Sequence, residues 1–185
     1  MKLHLTPGAI RDTCLINKAA TFGDNPVIVK DFVKSEKHDW DTACYVSSAT
    51  NTEKLNSTIK NLIELRGKQL NEGIVIREFV ELNDLTIHSK SGMPLTEEYR
   101  LFFCNKKLLG IYDYWEEGEY KLSKPDTSSF ETIAKDVQSN FFSMDIARKK
   151  TGELIIIELG DGQVAGLPDR LDKAEFYQKL KGCSS

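Results

Sequence analysis

The chain has 185 residues, of which 40% are hydrophobic and 29% charged, and its formal net charge is −3. This length and composition are typical of one soluble globular domain, and the net charge argues against a general nucleic-acid binder. No apolar run approaches the roughly 20 residues of a membrane helix, and the N-terminus lacks the apolar core of a signal peptide. The four cysteines are widely spaced, which favours reduced thiols in a cytoplasmic protein over a zinc site or a disulfide framework.

The first half of the chain predicts short strands around one long helix. Thr52 is the expected N-cap of that helix. Its apolar residues recur at helical spacing and predict one packed face: Leu55, Ile59, Leu62, Ile63 and Leu65. The elements expected in this half are strands over 27–30, 43–46 and 73–80 and helices over 9–20 and 53–66.

A basic segment follows the first predicted strand. Lys34, Lys37 and His38 lie between Phe32 and Trp40. Cations gathered beside a strand end could bind phosphate oxygens. A solvated charged loop fits the same pattern equally well, so the residues alone leave both interpretations open.

The second half predicts strands joined as hairpins, followed by a closing helix. The expected elements are strands over 85–88, 97–103, 108–115, 141–147 and 154–157, a helix over 130–138 capped by Ser128 or Ser129, and a helix over 172–181 that packs Phe176, Tyr177 and Leu180. Tyr112, Tyr114 and Trp115 are expected as core or rim aromatics. Strands outnumber helices and neighbours pair as hairpins, which predicts an α+β fold with largely antiparallel sheets and helices on one side.

The last predicted hairpin carries three acids. Asp145 lies within the first strand, Glu158 follows a run of isoleucines that we expect to be buried, and Asp161 lies in the turn beyond. An acid beside a buried strand needs a partner, and Mg²⁺ prefers hard oxygen ligands together with substrate phosphates. We therefore expect all three acids within reach of one Mg²⁺ ion. The alternative is a hairpin with solvated acids.

Five segments, in this order, resemble the ATP-grasp superfamily, and within it the clade named for its conserved arginines and lysine: PVIVK, REFVEL, EEYRLFF, FFSMDIA and IIELGDGQVAGLP. The clade is known mostly from bacteria and their phages, and the resemblance covers residues 7–177. It implies one ATP-grasp domain whose two α+β subdomains, about 24–80 and about 81–181, enclose a nucleotide cleft with mainly antiparallel sheets. ATP and Mg²⁺ are the implied cofactors.

The resemblance also implies roles for individual residues. Lys30 matches the lysine that contacts the α-phosphate and the adenine edge, and Glu81 lies where an acid often holds the ribose hydroxyls. Arg77 and Arg100 match the arginines of the clade. Arg100, facing the γ-phosphate, and Lys37, in the loop over the phosphates, are the expected catalytic residues. The hinge whose backbone pairs with adenine matches Glu78, Phe79 and Val80.

The metal ligands of the superfamily match Asp145, Glu158 and Asp161, with one departure. The superfamily often has an asparagine two residues after the glutamate, and this position is Gly160 here, so Asp161 is expected to replace it one residue later. The three histidines of the chain are dispersed and indicate no hydrolase triad.

The resemblance implies an ATP- and Mg²⁺-dependent ligase. Members typically activate a carboxylate as an acyl phosphate, which an amine or a thiol then attacks, and a peptide or protein is the expected substrate. About 25 residues precede the first nucleotide-binding strand, too few for the usual N-terminal substrate domain. We therefore expect either a trimmed member or a platform supplied by a partner or a second copy. The alternative is an ATP-binding module without ligation, as a nucleotide sensor or a phage-encoded interaction protein.

Overall fold

The computed structural model describes residues 12–32, 35–36, 39–70, 73–90, 92, 94–120 and 124–183. The start of the first predicted helix and the basic residues Lys34, Lys37 and His38 lie outside these ranges. Contacts between Cα atoms divide the chain into two units, residues 1–80 and 81–185. None of the described helices is both long and apolar enough to cross a membrane.

Unit 1 is built on a three-stranded antiparallel sheet with the strand order β2-β1-β3. Its helices and strands are α1 (Asp12–Ala19), β1 (Val27–Asp31), β2 (Tyr45–Val46), α2 (Thr52–Arg66) and β3 (Ile74–Glu78). The N-cap of α2 is Asn51, not Thr52, because the Asn51 side chain accepts a hydrogen bond of 3.0 Å from the Lys54 amide.

The two faces of this sheet carry different residues. One face packs against α2 and forms the core of the unit, with members that include Val27, Val29, Val46, Ile74 and Ile76 from the sheet and Leu55, Ile59 and Leu62 from the helix. The register pairs Ile28 with both Tyr45 and Arg77, and Lys30 with Val75. Since directly paired residues share a face and successive residues alternate, these five side chains lie on the second face.

Unit 2 holds a four-stranded antiparallel sheet with the order β7-β6-β8-β9, and a small sheet of β4 and β5. Its elements are β4 (Asp84–Ile87), β5 (Pro94–Thr96), β6 (Glu98–Cys104), β7 (Lys107–Asp113), α3 (Ser128–Ala134), β8 (Phe141–Arg148), β9 (Leu154–Asp161) and α4 (Lys173–Cys183). The predicted α+β class with antiparallel sheets is therefore confirmed.

The larger sheet separates an apolar face from a mixed face. The apolar face packs against Phe130 and Ala134 of α3 and includes Tyr99, Leu101 and Phe103 of β6 and Phe142, Met144 and Ile146 of β8. On the mixed face, Phe102 packs against Leu171 and against Phe176 of α4. Beyond this apolar half, the same face turns polar and carries Arg100 and Asp145.

Several elements differ from the predictions. Residues 43–44 belong to a π-helix, Trp40–Cys44, so only Tyr45–Val46 form the predicted strand. Pro94–Thr96 forms a strand that the sequence did not predict. The strand β9 continues to Asp161, and its isoleucines are half-buried because β9 is last in the strand order of its sheet.

The helices of unit 2 also differ from prediction in detail. Thr127 precedes α3 as its N-cap, and the helix ends at Ala134. In α4, Phe176 is buried as expected, but Tyr177 is 57% exposed. The aspartate before α4, Asp172, accepts hydrogen bonds from the amides of residues 174 and 175, so it caps the helix.

Two of the cysteines form a disulfide, contrary to the expectation of reduced thiols. Cys104 at the end of β6 bonds to Cys183 at the end of α4, across 79 residues of sequence. Asn105 adds a side-chain hydrogen bond of 2.9 Å to the Cys183 carbonyl. The bond therefore fixes the end of α4 to the sheet that it covers.

A buried carboxylate links β6 to β8. Glu97 is 5% exposed, and its side chain accepts hydrogen bonds of 2.8–2.9 Å from Arg148, Tyr99 and Asn83. Burial alone would raise the pKa of Glu97, but these three donors together outweigh it and leave the pKa below its usual value. The carboxylate is therefore stabilised in its charged form.

We expect Glu97 to make the stability depend on acid pH. Because its pKa is lower in the folded than in the unfolded chain, the contribution is present above the usual value of 4.5 and is lost as the pH falls through the folded pKa. Glu97→Gln should melt at a lower temperature at neutral pH, and its melting temperature should fall less between about pH 5 and pH 3 than that of the wild type. Parallel curves for the two proteins would contradict this assignment.

Candidate functional site

Three charged residues form a row across the polar half of the larger sheet in unit 2. Arg100 on β6 pairs with Asp145 on β8, and Asp145 pairs with Glu158 on β9. Directly paired residues on antiparallel strands share a face, and their Cβ atoms lie about 4.5–5.5 Å apart. The three side chains therefore lie side by side, which alternation within a single strand could not have shown.

Arg100 is held by several hydrogen bonds. Its Nε and Nη2 donate to the two carboxylate oxygens of Asp145 at 2.8 and 2.7 Å, and its Nη1 donates to the Gly166 carbonyl at 2.8 Å. The hydrogen bonds to Asp145 raise the pKa of the guanidinium above its already high value. A guanidinium has five N–H groups, so two remain, one on each terminal nitrogen, for an anionic ligand.

The ring of Tyr114 covers the guanidinium. Its centroid lies 4.8 Å from Cζ of Arg100, within the range of a cation–π interaction. Burial raises the pKa of the Tyr114 phenol. The sequence predicted a core or rim aromatic, and it missed this contact, because only the pairing of β7 with β6 brings Tyr114 beside Arg100.

The structure brings together two of the three predicted metal ligands. Asp161 pairs with Phe142, whose ring lies in the apolar core, so its side chain lies on the face opposite to Asp145 and Glu158. There its Oδ1 accepts a hydrogen bond of 2.8 Å from the Gln163 amide. Within the described ranges, no group of three or more His, Cys, Asp or Glu residues is placed to hold a metal ion.

Asp145 and Glu158 nevertheless suit a Mg²⁺ ion that is completed by a ligand. Mg²⁺ is commonly bound by one or two carboxylates together with substrate phosphates and waters. Asp145 is 3% exposed, while Glu158 is exposed, so the pair presents one fixed and one accessible carboxylate. The assignment of these residues as metal ligands stays a prediction.

Gly160 lies on the same face as Glu158, where the superfamily often has asparagine. It pairs with Ser143, and a Cβ atom at Gly160 would lie 2.8 Å from the Ser143 hydroxyl oxygen. That approach is too close without a shift of the serine side chain. Ser143 therefore occupies the space in which a side chain at position 160 would begin.

The remaining predicted residues lie at the strands of unit 1 and at the start of unit 2. Lys30 is partly buried on β1, and Arg77 and Glu78 are exposed at the end of β3, on opposite faces as alternation predicts. Phe79 and Val80 follow β3.

Glu81 is exposed and lies 3.9 Å from the Lys150 ammonium within unit 2. Lys37 lies outside the part of the chain that the structure describes.

Unit 1 also carries a cluster of three aromatic rings that the sequence did not predict. Trp40 stacks on Tyr45 with 5.4 Å between ring centroids, and both meet Phe79 edge-on at 5.8 and 5.2 Å. The amide of Phe79 donates to the Pro26 carbonyl at 2.8 Å, which continues the β1–β3 pairing by one residue. The cluster is therefore adjacent to the second face that carries Lys30 and Arg77.

Three solved structures share the fold of this chain. D-alanine–D-alanine ligase from Bacillus anthracis complexed with ATP matches 100% of this chain and 58% of its own, with a TM-score of 0.54 and 15% identity. D-cycloserine synthetase DcsG matches 98% and 63%, at 0.53 and 15%. The macrocyclase MdnC bound with precursor peptide MdnA, from Microcystis aeruginosa MRC, matches 100% and 55%, at 0.51 and 12%.

At these identities the similarity shows the fold alone, and the chain covers 55–63% of the length of the three structures. The family model described as ATP-grasp domain, R2K clade family 3, matches residues 21–180. The chain therefore belongs to this family, and the resemblance seen in the five sequence segments is confirmed. No curated protein shows significant sequence similarity to it.

Proposed function

We propose that this protein binds ATP with Mg²⁺ and activates a carboxylate as an acyl phosphate, which an amine or a thiol then attacks. The observation that carries this proposal is the row of Arg100, Asp145 and Glu158 in a domain of the ATP-grasp family. Phosphoryl transfer requires mainly positioning and charge neutralisation. A fixed guanidinium beside two carboxylates supplies groups for both tasks.

Each residue of the row has a separate task in this proposal. Arg100 donates its two remaining N–H groups to oxygens of the terminal phosphate and neutralises their charge. Asp145 orients Arg100 through two hydrogen bonds of 2.7–2.8 Å, and with Glu158 it would hold Mg²⁺. When bound, the ion would neutralise further charge on the phosphates.

The second face of unit 1 supports nucleotide binding independently. It carries two cations, Lys30 and Arg77, beside the rings of Tyr45 and Phe79. Cations suit phosphate oxygens, and aromatic rings suit a nucleobase because every base presents a π-face. Lys30 for the α-phosphate is part of this proposal.

Three further assignments also remain proposals. The backbone of Glu78, Phe79 and Val80 is assigned to adenine, the carboxylate of Glu81 to the ribose, and Lys37 to the phosphates.

A peptide or protein carboxylate is the proposed acyl donor. MdnC, which shares the fold, is bound with a precursor peptide. The first substrates to test are therefore short peptides with a free carboxylate, combined with amine or thiol acceptors.

Nucleotide binding without ligation is the second candidate function, and one observation favours it. Only two of the three predicted carboxylates share the face of the row. A nucleotide can be held with fewer metal ligands than are needed to stabilise a phosphoryl group during its transfer.

Nucleotide binding can be measured by thermal unfolding with and without Mg²⁺·ATP. At a hundredfold excess of ligand over the dissociation constant, the wild type should gain about 2.7 kcal/mol of stability. Lys30→Ala should reduce this gain. Lys60→Ala is the matched control, because Lys60 is exposed on α2 and faces Glu64 at 4.0 Å.

Conversion of ATP to ADP and phosphate that requires both an added carboxylate and an acceptor would support ligation, whereas binding without such turnover would support the second candidate. Absence of any stabilisation by ATP would contradict both functions. An equal loss of stabilisation in the Lys30 and Lys60 variants would contradict the assignment of Lys30.

A further inference from the structure

Tyr114 contacts the guanidinium of Arg100 from a direction that no other described partner covers. Asp145 and Gly166 bind the edge of the guanidinium, whereas the Tyr114 ring lies over its face at 4.8 Å from Cζ. The Tyr114 amide donates to the Glu98 carbonyl at 3.2 Å, which fixes the backbone of the tyrosine beside β6. Asp145 and Gly166 thus restrain the guanidinium within its plane, and Tyr114 restrains it perpendicular to that plane.

The neighbouring tyrosine on the same face has a different environment. Tyr112, directly paired with Arg100, points its ring at Phe102 and Phe176, with centroid distances of 6.1 and 6.3 Å. Tyr114 lies beside charged groups, and its ring also meets the Trp115 ring edge-on, with 4.8 Å between the centroids. After burial, the influences on the pKa of its phenol are Arg100, which lowers it, and Asp145, Glu98 and Glu158, which raise it.

We propose that Tyr114 is a positioning residue of this site, which holds the Arg100 guanidinium in the plane that presents its two remaining N–H groups to an anionic ligand. This inference rests on the proposed function, in which that ligand is the terminal phosphate of ATP. The ring of Tyr114, and not its hydroxyl, restrains the guanidinium, because the contact is with the face of the ring. Loss of the ring removes this contact with the face of the guanidinium and leaves its edge bonded to Asp145 and Gly166.

Two substitutions separate the ring from the hydroxyl. Tyr114→Phe keeps the ring, and Tyr114→Leu removes it. We expect Tyr114→Leu to weaken Mg²⁺·ATP binding, measured by calorimetry, by roughly three- to thirtyfold, the range of a cation–π contact, and Tyr114→Phe to stay within about twofold of the wild type. Tyr112→Leu is the matched control, which should lower the melting temperature through lost packing and leave the affinity unchanged.

The Arg100→Lys background tests whether Tyr114 acts through Arg100. Lysine keeps the charge but lacks the planar group, so Tyr114→Leu should weaken binding less in that background than in the wild type. Equal losses in both backgrounds, equal losses for Tyr114→Leu and Tyr114→Phe, or no loss for Tyr114→Leu would each overturn the inference.

A measurement without ligand distinguishes failure of this inference from failure of the proposed function. The ring should shift the NMR signals of the Arg100 side chain in the wild type and in Tyr114→Phe, and Tyr114→Leu should abolish that shift. If the shift is present but the wild type binds no Mg²⁺·ATP, the proposed function fails and the contact stands. If Tyr114→Leu leaves the Arg100 signals unchanged, the inference fails whatever the protein binds.

Discussion

Replacing Arg100 with methionine is expected to lower the free energy of unfolding by about 3–5 kcal/mol, since it leaves a buried charge without its partner. The Asp145 side chain is only 4% exposed, and both of its oxygens accept hydrogen bonds from Arg100. Denaturant unfolding at neutral pH would measure the loss.

Two further variants test this explanation. The double substitution Arg100→Met with Asp145→Asn should be more stable than Arg100→Met alone, because the unpaired charge is gone. Lys149→Met is the matched control, because it removes the pair with Glu153, whose side chain is 65% exposed, and should cost less than about 1 kcal/mol. A loss of similar size for Lys149 and Arg100 would show that the burial of Asp145 does not set the cost.

Glu158→Gln should change ligand binding and stability in different directions. Glu158 lies directly opposite Asp145, so removal of its charge relieves repulsion and should leave the free protein equally or more stable. The affinity for Mg²⁺·ATP should fall by at least about tenfold, since even residues that merely support a metal ligand contribute ten- to hundredfold. Melting curves with and without Mg²⁺·ATP, together with calorimetry, would measure both effects.

The same hairpin offers two controls for Glu158. Glu153→Gln removes an exposed acid near the turn, and it should leave Mg²⁺·ATP binding unchanged. Asp161→Asn should also leave it unchanged if the ion is held on the face of Asp145, and should weaken it if all three acids reach the ion. Lower stability of free Glu158→Gln with unaltered ligand binding would refute a metal site at this row.

The sequence predicted the strands of this fold well where their residues alternate or form long apolar runs. The segments around Asp145 and Arg100 fall in strands close to their predicted bounds. β5 was missed because it has three residues and begins with proline, which usually signals a turn. The apolar residues 43–44 predicted a strand, but they pack as part of a π-helix against α2.

The candidate site was less predictable than the fold, because it depends on the pairing between strands. The charges of Arg100, Asp145 and Glu158 were visible in the sequence, but not their alignment in one row. Asp161 was placed with them because the strand was expected to end earlier. Once β9 is known to continue, the odd spacing from Glu158 puts Asp161 on the other face.

The strand order of the larger sheet has a consequence for how the protein folds. In the hairpins β6–β7 and β8–β9, the residue pairs next to the turns are close in sequence: Cys104 with Lys107, and Arg148 with Leu154. The pairing of β6 with β8, in contrast, joins Arg100 to a residue 45 positions away. Closing that longer loop costs more entropy, so the hairpins can form before they dock. Docking of the two hairpins then completes the sheet and aligns the row of charges in one step. A chain whose sheet is unfinished therefore lacks the row of Arg100, Asp145 and Glu158.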